Sequence, residues 1–470
     1  MLPKRVVAGL LAGALILLGL VAALLPARAV PAGALANSGD VAWMLTATGL
    51  VMLMTPGLSF FYGGMVQRKN VISTMLQSFV ALAVVSLLWV VVGFSLAFGE
   101  SFLGLLGNPA SFFLLRGVGG ATHPTLSPTI PLLLFALFQL KFAIITPALI
   151  TGSFAERTRF SSYVLFMTGF SLFIYAPLAH WTWHPDGFLH RWGVLDFAGG
   201  TVVHLSAGVA AFIGAHVLGR RHTHIAGNTH SPANIPFVIL GTGMLWFGWF
   251  GFNAGSALAA NATAVNAVLT TNTAAAVASL VWLLVDYARG RKPSALGACI
   301  GAVVGLVAIT PAAGFVDLGG SIVIGAVGAA VCNFVVHWKN QTTIDDTLDV
   351  FPCHGVGGLV GMLLTAVLAT EGGAIHGSFR LLGVHLAGLG IVLCFTGIGS
   401  FLLYRLVDRI LPFRVSADDE ARGLDLSQHD ETLDEIAGTG LAIWSSTTPK
   451  ELSAQVGPAD ESPADKATNL

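Results

Sequence analysis

"LDFAGGTVVHLSAGVAAFIGAHVLG", Leu195–Gly219, is the stretch whose reading decides the fold class. About 20 consecutive, predominantly apolar residues cross a bilayer as a helix, and this run carries a histidine, His204, about two turns inside its start. An ionisable side chain at that depth costs a few kcal/mol or more, so it marks a candidate functional site. Similar runs recur on both sides of it. The chain of 470 residues is 54% hydrophobic and only 10% charged, which is the composition of a polytopic helical membrane protein. A net charge of −1 offers no handle for nucleic acid. Cys299, Cys332, Cys353 and Cys394 lie scattered in apolar context without paired spacing, and read as buried or pore-lining thiols.

Eleven apolar spans follow the leader: 42–62, 72–98, 129–153, 162–182, 198–219, 234–257, 267–287, 295–313, 317–337, 353–370 and 383–408. The leader itself, "MLPKRVVAGLLAGALILLGLVAALLPARAV", has a basic start, an apolar run and the small-residue site Ala27-Arg28-Ala29. It reads as a signal peptide over residues 1–29, which places the mature N-terminus outside; an uncleaved anchor helix is the alternative. With that orientation, thirteen Lys or Arg residues from Arg68 to Arg414 fall on the cytoplasmic side. Only Arg116, Arg191 and Arg380 fall outside. That is a strong positive-inside bias, and it requires this span count and orientation; the expected location is the cell inner (plasma) membrane, multi-pass. The transmembrane domain is then 30–414, with a cytoplasmic segment at 415–435 and a polar tail at 436–470 that reads as disordered. "RRHTHIAGNTH", Arg220–His230, reads as a solvated loop, its histidines too irregularly spaced for a metal.

His354, in "DVFPCHGVGGLVGMLLTAVLA" (Asp349–Ala369), stands near the start of the tenth span as His204 does in the fifth. Five spans separate them, and an odd number reverses direction, so spans one to five and six to ten form an inverted repeat with its site at the interface of the halves. Two neutral imidazoles facing each other there could share and pass a proton. A metal would want further ligands that no matching Cys or carboxylate supplies. Two separately satisfied core histidines are the remaining alternative.

Aromatic residues gather around these spans. Phe138 and Phe142 are four apart, on one helical face, as are Phe252 and Ser256 in "WFGWFGFNAGS". Trp181 and Trp183 close the fourth span. Aromatic faces with one hydroxyl suit a small cation; an interfacial belt is the alternative, and the preferred one for Trp181.

Together these stretches resemble the ammonium transporter family (the Amt/Mep/Rh superfamily). The resemblance is carried by "FYGGMVQRKNV", "FAIITPALITGSFAERTRF", "LDFAGGTVVH", "GWFGFNAGS", "LGACIGAVVGLVAITPAAG" and "DVFPCHGVGG", in order from about Val41 to Asp434. It implies a homotrimer of eleven-helix protomers, each with its own pore. Trp183, Phe142 and Ser256 then match an external ammonium recruitment site, with Asp196 the buried aspartate beside it. Phe138, Phe142 and Phe252 match stacked phenyl rings, of which Phe142 and Phe252 form the gate. His204 and His354 match the twin pore histidines, and Leu58 and Val350 line an apolar pore. No catalytic residue and no cofactor are implied.

Three positions depart from the family pattern. Lys141 precedes Phe142 in mid-span and is expected at a protomer contact or snorkelling outward. Ala233 stands where the family usually has His. The tail reads "GLDLSQHDETLD" where "HGE" and an aromatic are usual, which weakens the case for a PII-type signalling partner at the cytoplasmic face. The expected function is ammonium transport by capture, deprotonation, ammonia conduction and proton relay. The rivals are an electroneutral ammonia or carbon dioxide gas channel, and an ammonium sensor signalling through its tail. An enzyme is not expected, since no metal set, activated nucleophile or phosphate loop appears.

Overall fold

The computed structural model describes residues 4–26, 29–31, 33–227 and 231–433. The expected disordered tail, and Ala27 and Arg28 of the leader, lie outside the described residues; the leader forms a helix over Lys4–Leu24. Among the described residues, ten helices beyond the leader are long and apolar enough to cross a membrane, while the leader's own apolar run is shorter. They are α1 (Ser38–Met65), α2 (Arg68–Phe98), α3 (Leu132–Phe154), α4 (Phe160–Trp192, broken at 184–187), α5 (Gly200–Leu218), α6 (Ile235–Gly255), α7 (Ala262–Ala288), α9 (Leu318–Lys339), α10 (Phe351–Leu368) and α11 (Arg380–Ile410). The eleventh, α8 (Ala295–Ile309), is shorter, because the chain turns at 310–314 where span eight was expected to continue. Two small hairpins, β1 (Ser101–Phe102) with β2 (Leu106–Gly107) and β3 (Thr122–His123) with β4 (Ser127–Pro131), occupy the α2–α3 connection. β4 takes the residues at which the third span was expected to begin.

Local chemistry sets the helix starts. Asn37, Asn234, Asn261, Ser294 and Asp317 each accept a backbone N–H from the first turn of α1, α6, α7, α8 and α9, satisfying donors that a helix leaves orphaned.

The two five-helix halves meet backbone to backbone. Helices α1 and α6 run antiparallel: Gly64 lies against Asn234 and Val238, Gly57 against Gly241 and Leu245, and Gly248 and Gly251 against Leu50. A Cβ on Gly241 would collide with the Phe61 main chain. The α5–α10 crossing repeats the relation. Gly208 meets the Gly355 backbone, and Gly358 meets the Leu205 nitrogen, contacts that exchange under the 150-residue offset separating His204 from His354.

At the face opposite the hairpins, buried charges tie the loops together. Arg221 is 7% exposed and bridges Glu156 (2.6 Å) and Asp345 (2.8 Å), so this part of the 220–230 stretch is not the solvated loop expected. Burial pushes the Asp345 carboxyl up, but the Arg221 hydrogen bonds and the Arg157 charge outweigh it and hold it well below the usual range. Two short helices, α12 (Ala417–Arg422) and α13 (Leu424–His429), close this face. The Asp425 carboxylate accepts the Ile72 and Ser73 N–H groups at the start of α2. Lys69 Nζ donates to the Glu420 and Ala421 carbonyls at the end of α12.

Two further expectations are corrected. Trp181 is buried, its indole donating to Leu105 O at 2.7 Å, because the β1–β2 hairpin folds over it; it is no interfacial belt residue. Cys394 is exposed on α11, unlike the other three cysteines, because it sits on an outward face of that helix. Lys141 is half-buried, in line with Leu133 and Leu137 on the outward stripe of α3.

Candidate functional site

On the hairpin side a vestibule of about 500 Å³ is lined by Trp183, Phe142, Asp196, Ser256 and Gln139, among others. Asp196 shapes it through two sets of bonds. Its carboxylate accepts the N–H groups of Gly199 (2.8 Å), Gly200 (2.6 Å) and Thr201 (2.8 Å) and the Thr201 hydroxyl, capping α5 where the backbone amides carry partial positive charge. Its own carbonyl accepts the Trp183 indole N–H at 3.1 Å. The reversal from loop to helix passes through Gly199 at φ 118, a conformation that favours glycine. Ser256 Oγ donates to the Phe252 carbonyl at 2.9 Å, leaving its lone pairs for another donor.

The vestibule floor is aromatic. Phe142 and Phe252 stack with centroids 4.1 Å apart, Trp183 meets Phe142 edge-on at 5.7 Å, and Phe138 packs against Phe142 at 5.0 Å. Phe138 itself does not line the vestibule.

Beneath the phenyl pair lies His204, its ring centroid 6.1 Å from that of Phe252 and 5.4 Å from Trp249. His204 and His354 stack at 5.4 Å and face each other Nδ1 to Nδ1 at 3.3 Å. Both stand in π-helical turns, Gly200–Leu205 and Phe351–Val356, a wider winding that recurs at functional sites. Other buried histidines behave differently. His180 engages Ser101 Oγ and Ala97 O, and His385 engages Leu195 N and Met362 O, so both ring nitrogens of each are used. His204 Nε2 is buried without a partner. An unsatisfied buried polar atom costs about 1–3 kcal/mol, so the pair is not simply two satisfied core residues.

Past His354 a second cavity, of about 10 Å³, is lined by Tyr62, Met65, Leu348, Cys353 and His354, among others. Leu58 and Val350 are buried close by in sequence, on α1 and at the start of α10, but neither lines this cavity. Trp183, Asp196, Ser256, Phe142, Phe252, His204 and His354 thus lie in order from vestibule through phenyl stack to histidine pair, with the small cavity beyond, while Leu58 and Val350 stand aside from it. Two contributors were not foreseen. Trp249 stacks on His204, held by its N–H to Thr310 Oγ1 at 2.9 Å, and Gln139 presents a buried, unpartnered Oε1 beside the vestibule. Cys353, expected to be buried or pore-lining, lines the lower cavity. Trp249 stands three before Phe252, the one hint in the spacing.

The profile of the Ammonium Transporter Family matches residues 42–433. A putative ammonium transporter of Methanothermobacter thermautotrophicus is 46% identical over 406 residues, covering 84% of this chain and 98% of its own. Ammonium transporter Amt1 of Archaeoglobus fulgidus is 43% identical over 400 residues, covering 84% and 99%. Among solved structures, Saccharomyces cerevisiae Mep2 superimposes with a TM-score of 0.78 at 35% identity, over 86% of this chain and 93% of its own. A structure titled Sensor Amt Protein gives 0.77 at 30% identity, over 83% and 98%. With its eleven helices, its two antiparallel halves and a match spanning most of the chain, this protein belongs to the ammonium transporter family.

Proposed function

We propose that this ammonium transporter takes up ammonium at Trp183, Phe142 and Ser256, strips its proton near Asp196 and the phenyl gate, and passes ammonia along the histidine-lined file. Ammonium and potassium have nearly the same size and charge, so a site of size and charge alone cannot separate them. Moving either as a bare ion past Phe142 and Phe252 would be prohibitive. Ammonium alone can shed a proton. That proton crosses separately through His204 and His354, which makes transport electrogenic.

The observation that carries this reading is the Nδ1–Nδ1 contact of 3.3 Å, in a pair whose His204 Nε2 is buried without a partner. We read Asp196 as the residue that orients the backbone at the mouth and aids the site electrostatically, and Leu58 and Val350 as apolar packing around the lower path. The assembly we infer is a homotrimer in the inner membrane, with the vestibule outside, the leader cleaved as a signal peptide, and α12–α13 cytoplasmic. There a PII-type signalling protein would dock on residues 415–435.

Transient current from purified protein in liposomes on a solid-supported membrane tests the mechanism. Current after an ammonium jump and none after a potassium jump is the expected result. No current, with alkalinisation of the lumen on ammonium addition, would mean an electroneutral gas channel instead.

A further inference from the structure

The small cavity below the histidine pair brings two side chains that transport does not use, Cys353 and Met65, beside one that it does, His354. Cys353, Met65 and His354, which carry a thiol, a thioether and an imidazole, all line it. At about 10 Å³ it admits about one water-sized body, so its lining residues share a single occupant. A buried thiol alone is usually just a small hydrophobe. The second observation is His354. It is 3% exposed, its Nδ1 is engaged with His204, and no hydrogen bond to its Nε2 is found among the described residues, leaving that nitrogen for the cavity.

We propose that this cavity binds a soft monovalent cation, Cu(I) or Ag(I), through Cys353 Sγ and His354 Nε2, with Met65 Sδ as a third donor. Softness selects it, since thiolate and thioether ligands prefer such ions. Charge selects it again. On binding, the Cys353 S–H bond breaks, an S–metal bond forms, and the proton leaves to water. Thiolate and monovalent ion then sum to zero in an apolar void, whereas a divalent ion would leave a buried net charge. Zinc would also want about four ligands, and among the described residues no three of His, Cys, Asp and Glu group to hold a metal. Coordination at Nε2 requires the proton on His354 Nδ1, donated to His204 Nδ1. A bound ion therefore fixes the proton of the pair in one position. If the file is the transport path, as proposed above, the ion also plugs it.

The test uses the full-length protein in chloride-free detergent buffer, titrated with silver nitrate and examined by silver K-edge X-ray absorption. The expected result is a bound Ag(I) with both sulfur and nitrogen neighbours, its affinity reduced at least about tenfold in Cys353→Ser. Met65→Leu, which keeps the thiol, weakens it less, and Cys394→Ser leaves it unchanged. Equal binding by wild type and Cys353→Ser, loss of the site in Cys394→Ser, or sulfur-only coordination would each overturn the proposal. Ammonium flux in liposomes, with and without silver, separates the two readings. Silver held at Cys353 without block would uphold the site and overturn the file as the transport path.

Discussion

The Nδ1 atoms of His204 and His354 lie 3.3 Å apart in a buried, stacked pair. Two neutral rings in that arrangement share one proton across the contact, so their outward Nε2 atoms must be in opposite states, one a donor and one an acceptor. His204→Ala and His354→Ala should therefore each reduce ammonium-driven charge movement by about two orders of magnitude, the scale of losing a positioned proton-transfer group. Solid-supported-membrane current reads this. Normal, potassium-blind current in both single variants would remove the relay.

Recruitment is separable from conduction. Trp183 and Ser256 line the vestibule above the phenyl stack. Trp183→Leu should raise the half-saturating ammonium concentration about fivefold, since a cation–π contact contributes about 1 kcal/mol. The maximal current should hold, because the stack and histidines stay in place. Current measured against ammonium concentration distinguishes this from a general loss.

Asp196 acts first on structure. Its carboxylate accepts three backbone N–H groups and a hydroxyl at the start of α5. Asp196→Ala should lower stability by about 2–4 kcal/mol through the orphaned donors, and Asp196→Asn by less. Thermal unfolding in detergent reports both, and hydrogen exchange at 199–201 should quicken in the same order.

The Arg221–Asp345 pair sets an acid limit. Asp345 titrates below its unfolded value in the folded chain, so its contribution to stability is fully present above the ordinary carboxylate range. It is lost as pH falls through that range toward the depressed folded value. Melting temperature should fall with acidification below about pH 4, and Asp345→Asn should be less stable at neutral pH with a flatter profile. An unchanged slope in that variant would assign the acid sensitivity elsewhere.

Asp425 holds the tail to the bundle through Ile72 and Ser73. Asp425→Ala should loosen α12–α13 while leaving the spans folded. Faster hydrogen exchange at 424–429 and earlier proteolysis after Val415 are the expected signs. Protection equal to that of wild type would mean that the Lys69 contacts suffice alone.

Much of this was legible in the chain because lipid demands it. Apolar runs and the skew of Lys and Arg gave eleven helices, and the offset between His204 and His354 gave the halves. What stayed hidden depended on contacts distant in sequence. Apolarity does not say where α8 ends; Pro311, whose carbonyl accepts Phe197 N–H, turns the chain there. An aromatic at a span end looks interfacial, yet Trp181 is roofed by Leu105, 76 residues away. Spacing in "GWFGFNAGS" hints at Trp249, three before Phe252, but does not single it out from the neighbouring rings as the one that backs the histidine. The tail clamp joins residues about 350 positions apart, beyond any local pattern.

The glycine contacts between α1 and α6 have a mechanical meaning. At Gly57, Gly64, Gly241, Gly248 and Gly251 a backbone atom of the facing helix lies within 3.3 Å of where a Cβ would sit, leaving little compressible side-chain volume along this seam. A close-packed seam of that kind strongly resists one half rocking on the other. Many inverted-repeat carriers expose their site to each side in turn by such a swing. Here the seam favours a fixed sieve over a moving gate. In the mechanism proposed here the cargo changes, losing and regaining a proton, while the frame holds still.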